Sequence, residues 1–146
     1  MRSFLIILLF PVICHSQVYT KQELKNLVFT STLCGVSGAF DGTAEYLKFH
    51  CTSTSHYWNP ALSWTNKWKN GDPAQGERFW QSSRALVWTT DGYHLMRMGR
   101  NVFAMGAIVV HLGEKREWYK YLIDFAVNYL AYTVGFTITY DLIFKP

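Results

Sequence analysis

Charge is scarce in this 146-residue sequence: 16% of residues are Asp, Glu, Lys or Arg, against 49% hydrophobic and 17% aromatic. That balance excludes a disordered, solvated chain and suits one compact domain. The formal net charge of +4 is scattered, with no Lys/Arg block, so a nucleic-acid partner is not expected. Proline is scarce too. Pro11, Pro60, Pro73 and Pro146 leave three long stretches, roughly 22–50, 79–112 and 117–144, free to run as helices. Cysteine is limited to Cys14, Cys34 and Cys51, and no Cys-x-x-Cys or Cys/His zinc spacing occurs, so no metal site is expected. Gly-x-Ser-x-Gly, P-loop, His-Glu-x-x-His and dinucleotide fingerprints are all missing, and no cofactor is expected. Finally, no run of 18 clean apolar residues is present and the mean hydropathy is −0.01, which keeps a secreted, water-soluble helical bundle open as an alternative.

The N-terminus "MRSFLIILLFPVICHSQ" has Arg2, an apolar core from Phe4 to Cys14, and small residues at Cys14 and Ser16 ahead of Gln17. This is the pattern of a signal peptide cleaved after residue 16, leaving residues 17–146 as one helical domain. The core is short of the roughly 20 residues that span a bilayer, which makes a retained anchor the second choice. Cys34 and Cys51, if both lie on one helix, are separated by about 25 Å, so they read as free thiols.

Small residues recur at helical spacing. Ser31, Gly35, Gly38 and Gly42 step by 4, 3 and 4, and Gly92, Gly99 and Gly106 by 7 and 7. A helical glycine costs about 1 kcal/mol relative to alanine, and close backbone approach between helices offsets that cost. These seams predict helix contacts and self-association through them. The third stretch carries Asp124, Asn128, Tyr132, Gly135 and Thr139 at steps of 4, 4, 3 and 4, a polar stripe on an otherwise apolar helix. In a membrane bundle such a stripe faces inward and the apolar majority faces lipid. Trp118 and Tyr119 among Lys115, Arg116 and Lys120 look like an interfacial belt. The expected fold is therefore all-α: a membrane bundle of three long helices with the bilayer as partner, joined by a Trp-rich connection over 51–78. Gln17 would lie outside, that connection would be cytoplasmic, and the "GEKRE" turn would make the last two helices antiparallel neighbours.

The connection holds turn chemistry at Asn59-Pro60 and Asn70-Gly71-Asp72-Pro73, with Trp58, Trp64, Trp68 and Trp80 as apolar anchors of an interfacial flap or a lid. Its string "YWNPALSWTNKWKNGDPAQG", with "WTTDGYHLMRMGRN" and the upstream "SGAFDGTAEYLKFH", resembles a family of small predicted membrane proteins of bacteria and their phages, over most of residues 30–145. The resemblance implies a bacterial cell membrane, the inner membrane, as the location. It implies no substrate and no catalytic residue.

The candidate site is a set of ionisable residues in otherwise apolar helices: Asp41 and Glu45 beside the first seam, and Asp91, His94, Arg97 and Arg100 on the second helix. Together with Lys48 the acids and bases balance, and mutual pairing that fixes helix register is the economical reading. Three chemical readings stand beside it. Asp91 and His94 at i, i+3 have the spacing to share a metal with Asp41 and Glu45. His94 oriented by Asp91 could serve as a general base, with Arg97 or Arg100 holding a lipid or phosphate-bearing substrate. Asp124, His94 and Glu45 could line an ion path. His111 reads as a helix C-terminal residue, and His50, His56 and Cys51 read as surface.

Overall fold

The computed structural model describes residues 18–145; the expected signal peptide of residues 1–16 lies outside them. The chain folds as α1 (Lys21–His50), a short α2 (Pro60–Ser63), α3 (Gly92–Val110) and α4 (Trp118–Thr137), with Ile138–Phe144 continuing α4 as a π-helix. Short 3-10 turns fill the long connection, and no strand occurs among the described residues. The all-α expectation holds.

Three of these four α-helices begin where the sequence supplies a side-chain cap; α4 begins after Glu117 without one. Thr20 accepts the Glu23 N–H while Glu23 reaches back to the Thr20 N–H, a capping box that starts α1. Asn59 caps α2 ahead of Pro60, and Asp91 caps α3 by accepting the His94 N–H. After α3 the chain turns at Gly113, whose φ of 83° suits a residue without a Cβ.

The second helix is shorter than its proline-free stretch, beginning at Gly92 and not at 79. Side chains compete for the backbone of residues 79–91. The Glu77 carboxylate accepts the Gln81 and Ser83 N–H groups, and the hydroxyls of Thr89 and Thr90 bond back to the carbonyls of Leu86 and Val87. The Trp-rich connection therefore extends to residue 91, tied by the Asn66 side chain to the carbonyls of His56 and Thr90.

α1 is the hub: α3 and α4 both pack along it and scarcely touch each other. They are not the packed neighbours that the short turn between them suggests. A Cβ on Gly38 would strike the Tyr132 carbonyl, and one on Gly135 would strike the Gly35 carbonyl. α1 and α4 thus cross backbone to backbone, and the first glycine seam meets the polar stripe of the third stretch. The second seam works differently. Gly92 and Gly99 form hollows for the rings of Trp58 and Phe40. Both seams are filled from within one chain.

Along the long helices several polar side chains are buried and several large apolar ones are exposed. The buried apolar residues are Leu27, Ala44, Leu47 and Ala107, while Thr30, Ser37, Thr90, Asp91, Lys120 and Asp124 are buried too. Outside, Val102, Met105, Ile108, Val109, Leu122 and Phe125 are between 53% and 71% exposed. Among the described residues one helix, Trp118–Phe144, is long and apolar enough to cross a membrane, at a mean hydropathy of 1.2.

Candidate functional site

The predicted ionisable cluster divides into separate parts. At mid-bundle, Asp41 projects from α1 beside the glycine crossing. Its Oδ1 accepts a bond from Arg100 Nη1 of α3 at 2.8 Å, and its other oxygen accepts one from the Tyr132 hydroxyl of α4. One carboxylate thereby links all three long helices. Ser37, one turn earlier and fully buried, donates to the Arg100 carbonyl at 2.9 Å and fixes the same register.

Nearer the connection, Asp91 and His94 form a second unit. Asp91 is 2% exposed and is a cap residue, not a residue on the helix face. Its carboxylate takes the His94 N–H at 2.8 Å and lies 2.7 Å from His94 Nδ1, with Thr90 Oγ1 at 3.3 Å. That bond orients the imidazole and leaves Nε2 with no protein partner among the described residues. Arg97 turns away, its guanidinium over the Tyr93 ring and bonded to the Tyr93 hydroxyl at 3.3 Å. Glu45 is half-buried and makes no ion pair among the described residues. No three His, Cys, Asp or Glu side chains among the described residues gather closely enough to hold a metal ion. The shared-metal arrangement of Asp91, His94, Asp41 and Glu45 is therefore not assembled.

A third group lies at the opposite end, where sequence reading placed only a helix-terminal His111 and an interfacial belt. Arg116, with its side chain 4% exposed, sits 2.8 Å from Asp124 Oδ2 and 2.9 Å from Glu114 Oε2. Arg116 Nε and Asp124 Oδ2 make no hydrogen bond among the described residues, and these contacts act as charge pairs. His111 Nδ1 is 3.0 Å from both Glu114 Oε2 and Arg116 Nη2, and Nε2 is 3.7 Å from Asp124. From α1 and the residues before it, Asn26 bonds Glu114 at 2.5 Å, Tyr19 bonds Asp124 at 2.8 Å, and Glu23 pairs with Lys120 at 2.9 Å. The bond to His111, then the bond from Asn26 and the charge of Arg116, hold the Glu114 carboxyl below its usual range. Burial opposes the charge on Arg116, yet Asp124 and then Glu114 hold it more firmly protonated than usual. Burial and the neighbouring Asp124 push the Tyr19 phenol up.

The polar stripe of α4 faces α1 throughout. Asn128 Oδ1 lies 3.0 Å from Ser31 Oγ and 3.3 Å from Thr30 Oγ1, between the Asp124 and Tyr132 contacts. Cys34 and Cys51 are free thiols. Compared with protein-family models, curated proteins and solved structures, the chain finds no match.

Proposed function

We propose that this chain is an integral membrane protein with a structural or interaction role and no catalytic one, its three long helices standing in the bilayer of a bacterial inner membrane. The observation that carries this reading is the placement of polar and apolar side chains. Large apolar side chains cover the outside of α3 and α4, while hydroxyls, an amide and ion pairs line the contacts with α1. Contiguous exposed apolar surface of this kind destabilises a water-soluble monomer and suits lipid, where polar side chains are retained in the interior and paired. The Asp41–Arg100 pair is satisfied by its own partners, which supports a register-fixing role. Because the glycine seams are filled internally, self-association falls to the exposed apolar faces.

A hydrophobic diazirine probe added to membranes holding the protein tests this. Expected adducts fall on the exposed faces of α3 and α4, at Val102, Met105, Ile108 and Phe125, and spare Ser37 and Ala44. Adducts confined to residues 58–84, or none, would favour the secreted soluble bundle.

A second reading, an enzyme acting on a lipid or phosphate-bearing substrate, is favoured by one observation: the buried Asp91 carboxylate orienting His94 with Nε2 unpartnered. The two arginines such a site would use for a phosphate are engaged elsewhere, Arg97 with Tyr93 and Arg100 with Asp41.

A further inference from the structure

α3 and α4 pack along α1 without closing on each other, and the space between them is a groove of about 460 Å³ open to the outside. Its size is within the roughly 300–1,000 Å³ of small-molecule sites. Cys34 of α1 and Ala104 and Ala107 of α3 form a floor of small side chains, with Ile108, Phe125 and Tyr129 as walls. An apolar groove alone would accept any hydrocarbon. Two polar features narrow the choice.

The first is Asn128. Its Oδ1 lies against the hydroxyls of Thr30 and Ser31, each of which also bonds the Leu27 carbonyl, and its Nδ2 has no partner among the described residues. If the amide is turned over, Nδ2 donates to those hydroxyls and Oδ1 is left without a partner. In either orientation one half of the half-buried amide faces the groove without a protein partner among the described residues and is free to bond a polar group that enters it. The second feature is charge. The groove ends at His111 and Asp124, where the carboxylates of Asp124 and Glu114 outnumber the one guanidinium of Arg116. An anionic head group is repelled there; an uncharged one is not.

We infer that the α3–α4 groove binds a neutral amphiphile, a hydrocarbon chain carrying an uncharged hydroxyl, ester or amide that completes the hydrogen bonding of Asn128. The hydrocarbon lies along Ala104, Ile108, Phe125 and Tyr129, and the polar group reaches Asn128. This goes beyond a structural role and does not depend on whether the bundle sits in a bilayer.

Cys34 on the floor reports occupancy, and Cys51, outside the groove, is the internal control. The experiment measures iodoacetamide alkylation of each thiol by peptide mass spectrometry in the full purified chain, with monoolein or oleate as probe. Monoolein should slow alkylation of Cys34 about tenfold and leave Cys51 unchanged, while oleate protects far less. In Asn128→Leu the half-protecting monoolein concentration should rise about five- to tenfold, the loss of roughly one buried hydrogen bond. Ala107→Phe fills the floor, so its Cys34 should alkylate slowly without monoolein and gain no further protection. Asn128→Leu also loses its bonds to Ser31 and Thr30, so it is read beside Ser31→Ala, which loosens the same helix contact, keeps the groove-facing half of the amide and should bind monoolein like the native chain. The inference is overturned if monoolein leaves Cys34 unprotected, if Cys51 is slowed equally, if oleate protects as well, or if Asn128→Leu binds like the native chain.

Discussion

Asp41 Oδ1 accepts a hydrogen bond from Arg100 Nη1 at 2.8 Å, joining α1 to α3 through a pair whose side chains are 14% and 29% exposed. Removing either partner leaves a largely buried charge unpaired, at a cost of about 3 kcal/mol. Asp41→Leu and Arg100→Met should each lower stability by that order, and the double variant should recover much of it. Tyr132→Phe removes one hydrogen bond to the carboxylate and should cost about 1.5 kcal/mol. Thermal unfolding in detergent measures all four; strictly additive singles and double would show that the two side chains are not coupled.

The helix crossing makes glycine positions unequal. Gly135→Ala drives a methyl group into the Gly35 carbonyl and should destabilise the bundle by about 2 kcal/mol. Gly106→Ala places its Cβ 3.6 Å from Leu33 Cδ1, an ordinary contact, and should be neutral or gain up to about 1 kcal/mol in helix propensity. Gly71→Ala should also destabilise, because Gly71 has a φ of 76° that a residue with a Cβ adopts only under strain. Equal melting temperatures for Gly135→Ala and Gly106→Ala would deny the close crossing.

At the opposite end, Glu114 supplies a pH dependence. Its folded pKa lies below the ordinary value of 4.5, held there by His111 and Asn26, so its contribution to stability is complete above 4.5. That contribution is lost as the pH falls through the folded value. Melting temperatures measured downward from pH 6 should therefore fall less steeply for Glu114→Gln than for the native chain. Parallel curves for the two proteins would remove Glu114 from the account.

Asp91→Ala removes the α3 cap and the partner that His94 Nδ1 has among the described residues, and should cost about 1–2 kcal/mol. His94→Gln keeps the cap and should leave stability within about 0.5 kcal/mol. The pair also separates the two functional readings. A stable His94→Gln with the phenotype of a deletion would promote the enzyme reading, whereas a stable and phenotypically normal one supports a structural role.

The faces of the helices were legible in the sequence, and their partners were not. Spacing alone placed Asp124, Asn128, Tyr132, Gly135 and Thr139 on one stripe, and that stripe meets Tyr19 just before α1 at Asp124 and α1 itself from Asn128 to Thr139. Period tells which residues share a face; it does not tell which helix covers them. The glycine seam of α1, beside which Asp41 was placed, therefore proved to meet α4, while α3 reaches Asp41 by the long side chain of Arg100. Absence of proline extended α3 back to 79 because proline marks only one way to end a helix. The carboxylate of Glu77 and the hydroxyls of Thr89 and Thr90 end it by taking backbone groups, and Gln81 turns to a φ of 62°. The Glu114, His111, Arg116 and Asp124 group was missed although its members lie within residues 111–124, because helix period does not tell that the Arg116 side chain of the turn folds back onto the Asp124 face of α4. An acid in the α4 stripe one helical turn beyond a basic belt was the available signal.

Membrane fractionation tests the central claim, that this bundle is integral to a bilayer. After washing at alkaline pH in carbonate, the mature chain should remain in the pellet and be released by detergent alone. Quantitative recovery in the soluble fraction without detergent would contradict it, and would assign the exposed apolar faces of α3 and α4 to a water-soluble assembly.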